Sequence, residues 1–154
     1  ARLSGSACRW QINFQGAFAD KGSMNTMAEL KRILHVEDDR SIQAVAKLAL
    51  ETLGGFEVLS CINGQEALDK VVAFNPDFVL LDVMMPGMDG PAVLVKLREL
   101  IDIKQIPVAF MTAKVQPQEV EHYRQLGALD VIVKPFDAMK LAGQVRAIWS
   151  SVHG

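Results

Sequence analysis

The sequence predicts an α/β protein whose parallel sheet is covered by helices on both faces. From Lys31 onward, short apolar runs alternate with segments of helical period, which is the pattern of repeated strand–helix units. The apolar runs contain few polar residues, as expected for strands that are buried on both faces. A chain of 154 residues is long enough for one domain with a single hydrophobic core.

Five strands are predicted, because five short apolar runs are each closed by polar or turn-forming residues. Their expected ranges are 32–36, 56–60, 77–82, 106–112 and 129–133. The run at 77–82 is the clearest, since it ends in Asp82 and the turn-rich sequence MPGMDG follows shortly afterwards.

Five helices are predicted from apolar residues at helical spacing. In the first helix, the residues expected to face the core are Ile42, Val45, Ala46, Ala49 and Leu53. In the later ones they are Ala67, Leu68, Val71 and Val72; Val93, Leu94, Leu97 and Ile101; and Leu141, Val145, Ile148 and Val152. The fourth helix is expected over 117–126. Helix stops are expected at Gly54-Gly55, Asn75-Pro76 and Gly127.

Right-handed crossovers between these elements imply a doubly wound, flavodoxin-like (βα)5 fold with strand order 2-1-3-4-5. Ligands bind such sheets at the carboxyl ends of the strands, near the switch point between strands one and three. Those two strands end in Glu37-Asp38-Asp39 and in Asp82, while strands four and five end in Thr112 and Lys134. Acids, a hydroxyl and a lysine are therefore expected at one edge, which suits Mg²⁺ and a phosphoryl group.

Composition excludes several classes of protein. Half of the residues are apolar, so a disordered chain is not expected. No apolar stretch approaches the length of a membrane span, and the first residues lack the apolar core of a secretory signal. Two cysteines are too few for a disulfide framework or a Cys-rich zinc site, which fits a cytoplasmic protein.

Residues 1–26 differ from the rest and resemble an expression-tag leader, expected to be mostly disordered, so the folded domain is assigned to 27–154. The leader holds three basic residues and one acidic residue, so without it the formal charge falls from −2 to −4. An acidic domain without a basic stripe is not expected to bind nucleic acid directly.

Four motifs resemble those of receiver domains in bacterial two-component response regulators. They are VEDD at 36–39, LLDVMMPGMDG at 80–90, MTAK at 111–114 and VKPF at 133–136. They occur in the family's order and spacing over residues 31–152, and together they are highly specific. The resemblance implies a signalling phosphoacceptor whose partner is a histidine kinase or a histidine phosphotransfer protein. Its only catalysis would be self-phosphorylation and slow self-dephosphorylation.

The resemblance also assigns roles to individual residues. Asp82 corresponds to the nucleophile that becomes an acyl phosphate. Asp38, Asp82 and the backbone carbonyl of Met84 correspond to direct Mg²⁺ ligands, and Glu37 to a ligand that acts through water. Lys134 would pair with Asp82 before the reaction and with phosphoryl oxygens after it.

Two further family features concern the switch. Thr112 corresponds to the switch hydroxyl, and a cis peptide between Lys134 and Pro135 would aim the lysine inward. Val131 departs from the pattern, because the family usually has Tyr or Phe three residues before the lysine. An aromatic side chain that swings inward behind Thr112 therefore cannot operate in the usual way, although Val131 could still repack.

Other interpretations remain open at the level of single residues. Asp82 could cap a turn, Asp39 could cap the first helix, and Thr112 could be a β-branched strand residue. His35 is expected to be packed within its strand.

Three other functional classes are alternatives to the receiver. A pseudo-receiver would be an unphosphorylated interaction module, and Val131 keeps that alternative open. A haloacid-dehalogenase-like phosphatase would need a second acid where Met84 stands. A flavodoxin-like cofactor binder is disfavoured because acidic loops would repel the phosphate of FMN.

Overall fold

The structure is a computed structural model, and it describes residues 29–113 and 115–153. Within them, one parallel sheet has the order β2-β1-β3-β4-β5, which confirms the predicted doubly wound, flavodoxin-like fold. The strands are β1 (Arg32–Val36), β2 (Glu57–Cys61), β3 (Phe78–Asp82), β4 (Val108–Thr112) and β5 (Asp130–Val133). The helices are α1 (Arg40–Thr52), α2 (Gly64–Phe74), α3 (Gly90–Leu100), α4 (Pro117–Leu126) and α5 (Ala138–His153). The predicted leader 1–26 and Lys114 lie outside the described residues.

Strand boundaries differ from the prediction by one or two residues. The largest difference is in β4, which begins at Val108 rather than Ile106. The backbone N–H of Ile106 donates to Asp102 O at 2.9 Å, so Ile106 belongs to the preceding turn. Pro107 follows and has no N–H to donate to a strand ladder. The apolar run therefore enters the sheet later than its hydropathy indicates.

The core has one layer on each face of the sheet. Ile33, Leu80 and Met111 pack beneath α1 and α5, and alternate residues such as Leu34 and Phe110 pack beneath α2, α3 and α4. Successive strand residues point to opposite faces, so each buried strand contributes to both layers. This is why the strands are apolar throughout.

The predicted buried faces of three helices were partly wrong. In α1, Val45 and Leu53 are about half exposed, whereas Ala46, Ala49 and Leu50 are buried. The buried stripe of α1 therefore runs through Ala46, Ala49 and Leu50, and Val45 and Leu53 flank it. Val72 of α2 and Val152 of α5 are also exposed. Apolar spacing identified each helix correctly but not the angle at which it sits.

Helix ends agree with the prediction. The Asp39 carboxylate caps α1 by accepting hydrogen bonds from the backbone N–H groups of Ser41 and Ile42. Asn75 ends α2 with φ of 54°, and Gly127 ends α4 with φ of 116°. Of the described helices, none is both long and apolar enough to span a membrane.

Candidate functional site

Three carboxylates converge at the carboxyl edge of the sheet. Oxygens of Glu37, Asp38 and Asp82 all lie within 4.8 Å of one another. Strands β1 and β3 are neighbours in register, so the residues at their ends stand side by side. Glu37 and Asp82 are almost fully buried, at 1% and 2% exposure, whereas Asp38 is the most exposed of the three. The set combines two acids inside the protein with one at its surface.

Lys134 joins the two buried acids. Its Nζ donates to Glu37 Oε1 at 2.9 Å and to Asp82 Oδ1 at 3.1 Å. The peptide bond between Lys134 and Pro135 is cis. The resemblance predicted the pairing with Asp82. The second pairing, with Glu37, could not be read from the sequence because it depends on how strands β1 and β5 end relative to each other.

Burial and charge shift the pKa values of this ion cluster in a consistent way. Burial raises the pKa of Glu37 to about 7, and the negative charge of Asp82 adds to the effect, while Lys134 opposes it. For Lys134, burial alone would lower the pKa, but hydrogen bonds and attraction from Glu37 and Asp82 raise it above its ordinary value. The lysine is therefore cationic, and Glu37 holds a proton more readily than an ordinary glutamate does.

Thr112 and Met84 lie at the same edge. Thr112 ends β4 and is buried, one residue beyond the partner of Asp82 in the β3–β4 ladder. Its carbonyl accepts a hydrogen bond from the backbone N–H of Lys134 at 2.9 Å. Met84 lies in the loop after β3 with its side chain 69% exposed. The structure thus places every predicted site residue at one edge of the sheet.

The loop after Asp82 is held by backbone contacts. Val83 N–H donates to Met111 O at 3.0 Å, and Gly90 N–H donates to Val83 O at 2.9 Å. A Cβ on Gly90 would lie 2.5 Å from Asp82 O and 2.9 Å from Val83 Cα. Glycine is therefore needed where α3 begins, because the helix meets the backbone of the strand that carries Asp82.

Gln43 is a site-proximal residue that the sequence pattern did not reveal. Its side-chain Nε2 donates to Glu37 O at 3.2 Å and to Cys61 O at 3.1 Å. A polar residue one turn into an amphipathic helix is ordinarily read as solvent-facing. Nothing in its spacing indicates that it reaches back to two strand ends.

His35 packs inside β1, as predicted. It is fully buried, and within the described residues neither ring nitrogen has a hydrogen-bond partner. Burial lowers the pKa of His35 to about 4, and the positive charge of Lys134 lowers it further. The ring is therefore neutral near pH 7. Ser60, its neighbour across the β1–β2 ladder, also has a buried hydroxyl without a partner in this part of the chain.

Val131, the departure from the expected aromatic, is half-buried and packs against the core beneath α4. Its ladder partner Phe110 makes an edge-to-face contact with Tyr123 of α4, with ring centroids 4.9 Å apart. An aromatic side chain from α4 therefore reaches the strand behind Thr112.

Comparison with known proteins identifies the family. Residues 33–146 match the response regulator receiver domain, and the chain belongs to that family. Transcriptional regulatory protein CseB of Streptomyces avermitilis is 38% identical over 122 residues, covering 79% of this chain and 50% of CseB. The alkaline phosphatase synthesis regulator PhoP of Bacillus subtilis is 36% identical over 118 residues, covering 77% of this chain and 48% of PhoP.

Solved structures agree with the family assignment. Chemotaxis protein CheY4 of Vibrio cholerae has a TM-score of 0.73 and 28% identity, covering 78% of this chain and 99% of that protein. This chain spans about half the length of the CseB and PhoP relatives. It is a two-component signalling receiver domain, as the four motifs predicted.

Proposed function

We propose that Asp82 accepts a phosphoryl group from a phosphohistidine on a histidine kinase or histidine phosphotransfer protein, and that this switches the domain between two signalling states. The observation that carries the proposal is the position of Asp82, buried at the end of β3 with Lys134 Nζ 3.1 Å from its carboxylate. Family membership supplies the reaction class. A turn-capping aspartate has no need of a buried lysine partner, so the geometry favours the nucleophile over that alternative.

The acidic cluster fits Mg²⁺. Mg²⁺ prefers oxygen ligands and few carboxylates, and Glu37, Asp38 and Asp82 offer oxygens within 4.8 Å of one another. By resemblance, the backbone carbonyl of Met84 would complete the protein's ligands. When bound, the ion would neutralise negative charge on the transferring phosphoryl group and on the acids around it.

In the proposed transfer, an Asp82 oxygen attacks phosphorus, a P–O bond forms, and the P–N bond to the donor histidine breaks. The histidine leaves with the bond's electron pair and takes a proton. Lys134 moves from the carboxylate to the phosphoryl oxygens, and the Thr112 hydroxyl donates to one of them. Each contact compensates charge that the new phosphoryl group brings into a buried site.

Phosphorylation of Asp82 can be tested with a small phosphodonor. Acetyl phosphate with Mg²⁺ should add one phosphoryl group by intact mass, and hydroxylamine should remove it because an acyl phosphate is reactive. Asp82→Asn should abolish labelling, whereas Asp69→Asn, the same change at an exposed position of α2, should leave it intact. Failure of the parent to label under saturating conditions would instead favour the unphosphorylated interaction module.

The surface beside the site is suited to a helical donor protein. A shallow apolar pocket lined by Ile42, Val45, Pro135 and Phe136 includes Lys134, the same lysine that contacts Asp82. The outward apolar stripe of α1 continues through Leu48, which is 66% exposed. A partner seated there would bring a phosphohistidine next to the nucleophile.

Donor docking can be separated from the chemistry by a matched pair of variants. Leu48→Asp should slow transfer from autophosphorylated histidine kinases but leave acetyl phosphate labelling unchanged. Val72→Asp is the control, because Val72 is equally exposed at 64% but lies on α2. Equal kinase transfer rates for the two variants would exclude α1 as the donor surface.

A further inference from the structure

In the metal-free protein, the loop that carries Glu37 and Asp38 lies in a site with unfavourable repulsion between carboxylates. Three carboxylates within 4.8 Å repel one another, and Lys134 binds two of them, Glu37 and Asp82. Asp38 is the most exposed of the three carboxylates. Glu37 Oε2 accepts the backbone N–H of Asp39 at 3.3 Å, and the backbone carbonyls of the loop are held by other contacts.

Gln43 supplies such contacts from the first turns of α1. Its backbone N–H donates to Asp39 O at 2.9 Å, and its side-chain amide donates to Glu37 O and Cys61 O. Cys61 O also accepts the backbone N–H of Glu37 at 3.0 Å. One residue thus binds the carbonyls on both sides of Asp38 and ties them to the end of β2.

The orientation of the amide follows from its partners. Both side-chain contacts are to carbonyl oxygens, which accept hydrogen bonds and cannot donate them. The amide nitrogen must therefore face them. Both hydrogen bonds are half-buried. An apolar side chain of equal length would remove a hydrogen-bond donor from each of the two carbonyl oxygens, at a cost in free energy.

We infer that Gln43 is a positioning residue that holds the loop of Glu37 and Asp38 in its metal-binding arrangement before the ion arrives. The inference rests on the proposed function, since it concerns the same Mg²⁺-dependent site. A loop that is already in the binding conformation binds Mg²⁺ with its full intrinsic affinity. When only a fraction of the molecules have the loop in that conformation, the apparent affinity is the intrinsic affinity multiplied by that fraction. Outer contacts of this kind commonly change metal affinity by 10–100-fold.

Gln43→Met tests the inference, because methionine has similar length and no charge but cannot donate. Calorimetry should show Mg²⁺ affinity weakened about tenfold. The Mg²⁺ concentration for half-maximal acetyl phosphate labelling should rise in parallel, while the labelling rate at saturating Mg²⁺ returns toward the parent value. In the metal-free protein, amide exchange should accelerate at 37–39. Gln144→Met, the same change at an exposed position of α5, should do none of this.

The outcomes distinguish this inference from the proposed function. A merely structural role for Gln43 would lower the free energy of unfolding while leaving the Mg²⁺ dependence of labelling unchanged, and that result would overturn the inference. Equal Mg²⁺ affinity and equal exchange at 37–39 in parent and variant would also overturn it. Failure of the proposed function shows in the parent, which would then neither bind Mg²⁺ nor accept phosphate.

Discussion

Glu37, Asp82 and Lys134 form a buried group in which two negative charges share one cation. Removing one partner from a buried ion pair typically costs about 3–5 kcal/mol, because the remaining charge is left uncompensated. Here the cation is shared, so Glu37 is under-compensated already. Burial, with a further contribution from the negative charge of Asp82, raises the pKa of Glu37 beyond what Lys134 offsets. A divalent ion or a proton on Glu37 relieves the same imbalance, which links the metal-free site to pH.

The residue scale therefore gives a pH prediction for the metal-free protein. Glu37 has a pKa of about 7 against an ordinary 4.5, so its stabilising contribution is complete below pH 4.5 and lost as pH rises to 7. His35 has a pKa of about 4 against 6.5, so its contribution is present above pH 6.5 and lost as pH falls to 4. Between pH 4.5 and 6.5 the two effects oppose each other.

Variants should reveal each effect in urea unfolding with EDTA at pH 6.5 and 4.5. On acidification, His35→Leu should gain stability relative to the parent, and Glu37→Gln should lose it, each on the order of 1–3 kcal/mol. His122→Leu, at an exposed position of α4, is the control. If His35→Leu follows the parent curve, His35 is not held neutral by burial.

At the scale of elements, the site depends on how helices begin immediately after strands. Helix α1 starts at the acidic loop and is capped by Asp39, and α3 starts at Gly90, against the backbone of β3. The sequence offered Asp39 as a possible cap of the first helix and a turn over 85–90 before the third helix. It did not show the close approach at Gly90, because that distance depends on the packing of α3 against the sheet.

Gly90→Ala should disturb the proposed phosphoacceptor, Asp82, directly. The new Cβ would meet backbone atoms of Asp82 and Val83, which cannot move aside as a flexible side chain could. We expect a loss of about 1–3 kcal/mol in unfolding free energy. A displacement of the Asp82 loop by about 1 Å could slow acetyl phosphate labelling by up to about 100-fold.

Gly143→Ala is the matched control, because a Cβ there would have no atom within 4 Å. It lies within α5, so alanine should stabilise the protein by about 0.5–1 kcal/mol. Labelling of Gly90→Ala at the parent rate would show that the close contact is relieved without moving Asp82.

For the whole molecule, the strand order was largely predictable once five strand–helix units had been recognised. Right-handed crossovers leave few arrangements, and strand-end residues then fall at one edge. The second partner of Lys134, the reach of Gln43 and the angle of α1 could not be predicted in this way. Each depends on the relative positions of elements that are distant in sequence, to within a few ångströms. Hydropathy patterns do not encode those positions.

The same view of the molecule bears on Val131 and switching. Within α4, all of which the structure describes, Tyr123 is the buried residue and Leu126 packs partly buried against the same core, so few side chains anchor this helix. A lightly anchored helix is the kind of element that opens at low cost. Phosphorylation can shift the equilibrium between two positions of α4 only through contacts that differ between those two states. Thr112 lies at the end of the strand that Tyr123 contacts, so it is positioned to make a contact of this kind.

We therefore predict that switching is concentrated in residues 112–126 and does not depend on an aromatic residue at position 131. Beryllofluoride with Mg²⁺, which mimics the phosphoryl group, should change amide exchange there more than elsewhere. Tyr123 is the single tyrosine of the chain, so fluorotyrosine labelling should give one ¹⁹F resonance that shifts on binding. Thr112→Ala should still bind beryllofluoride but show a smaller shift. An unchanged resonance and unchanged exchange in 112–126 would mean that phosphorylation is transmitted through another face, or that the domain is a phosphate carrier.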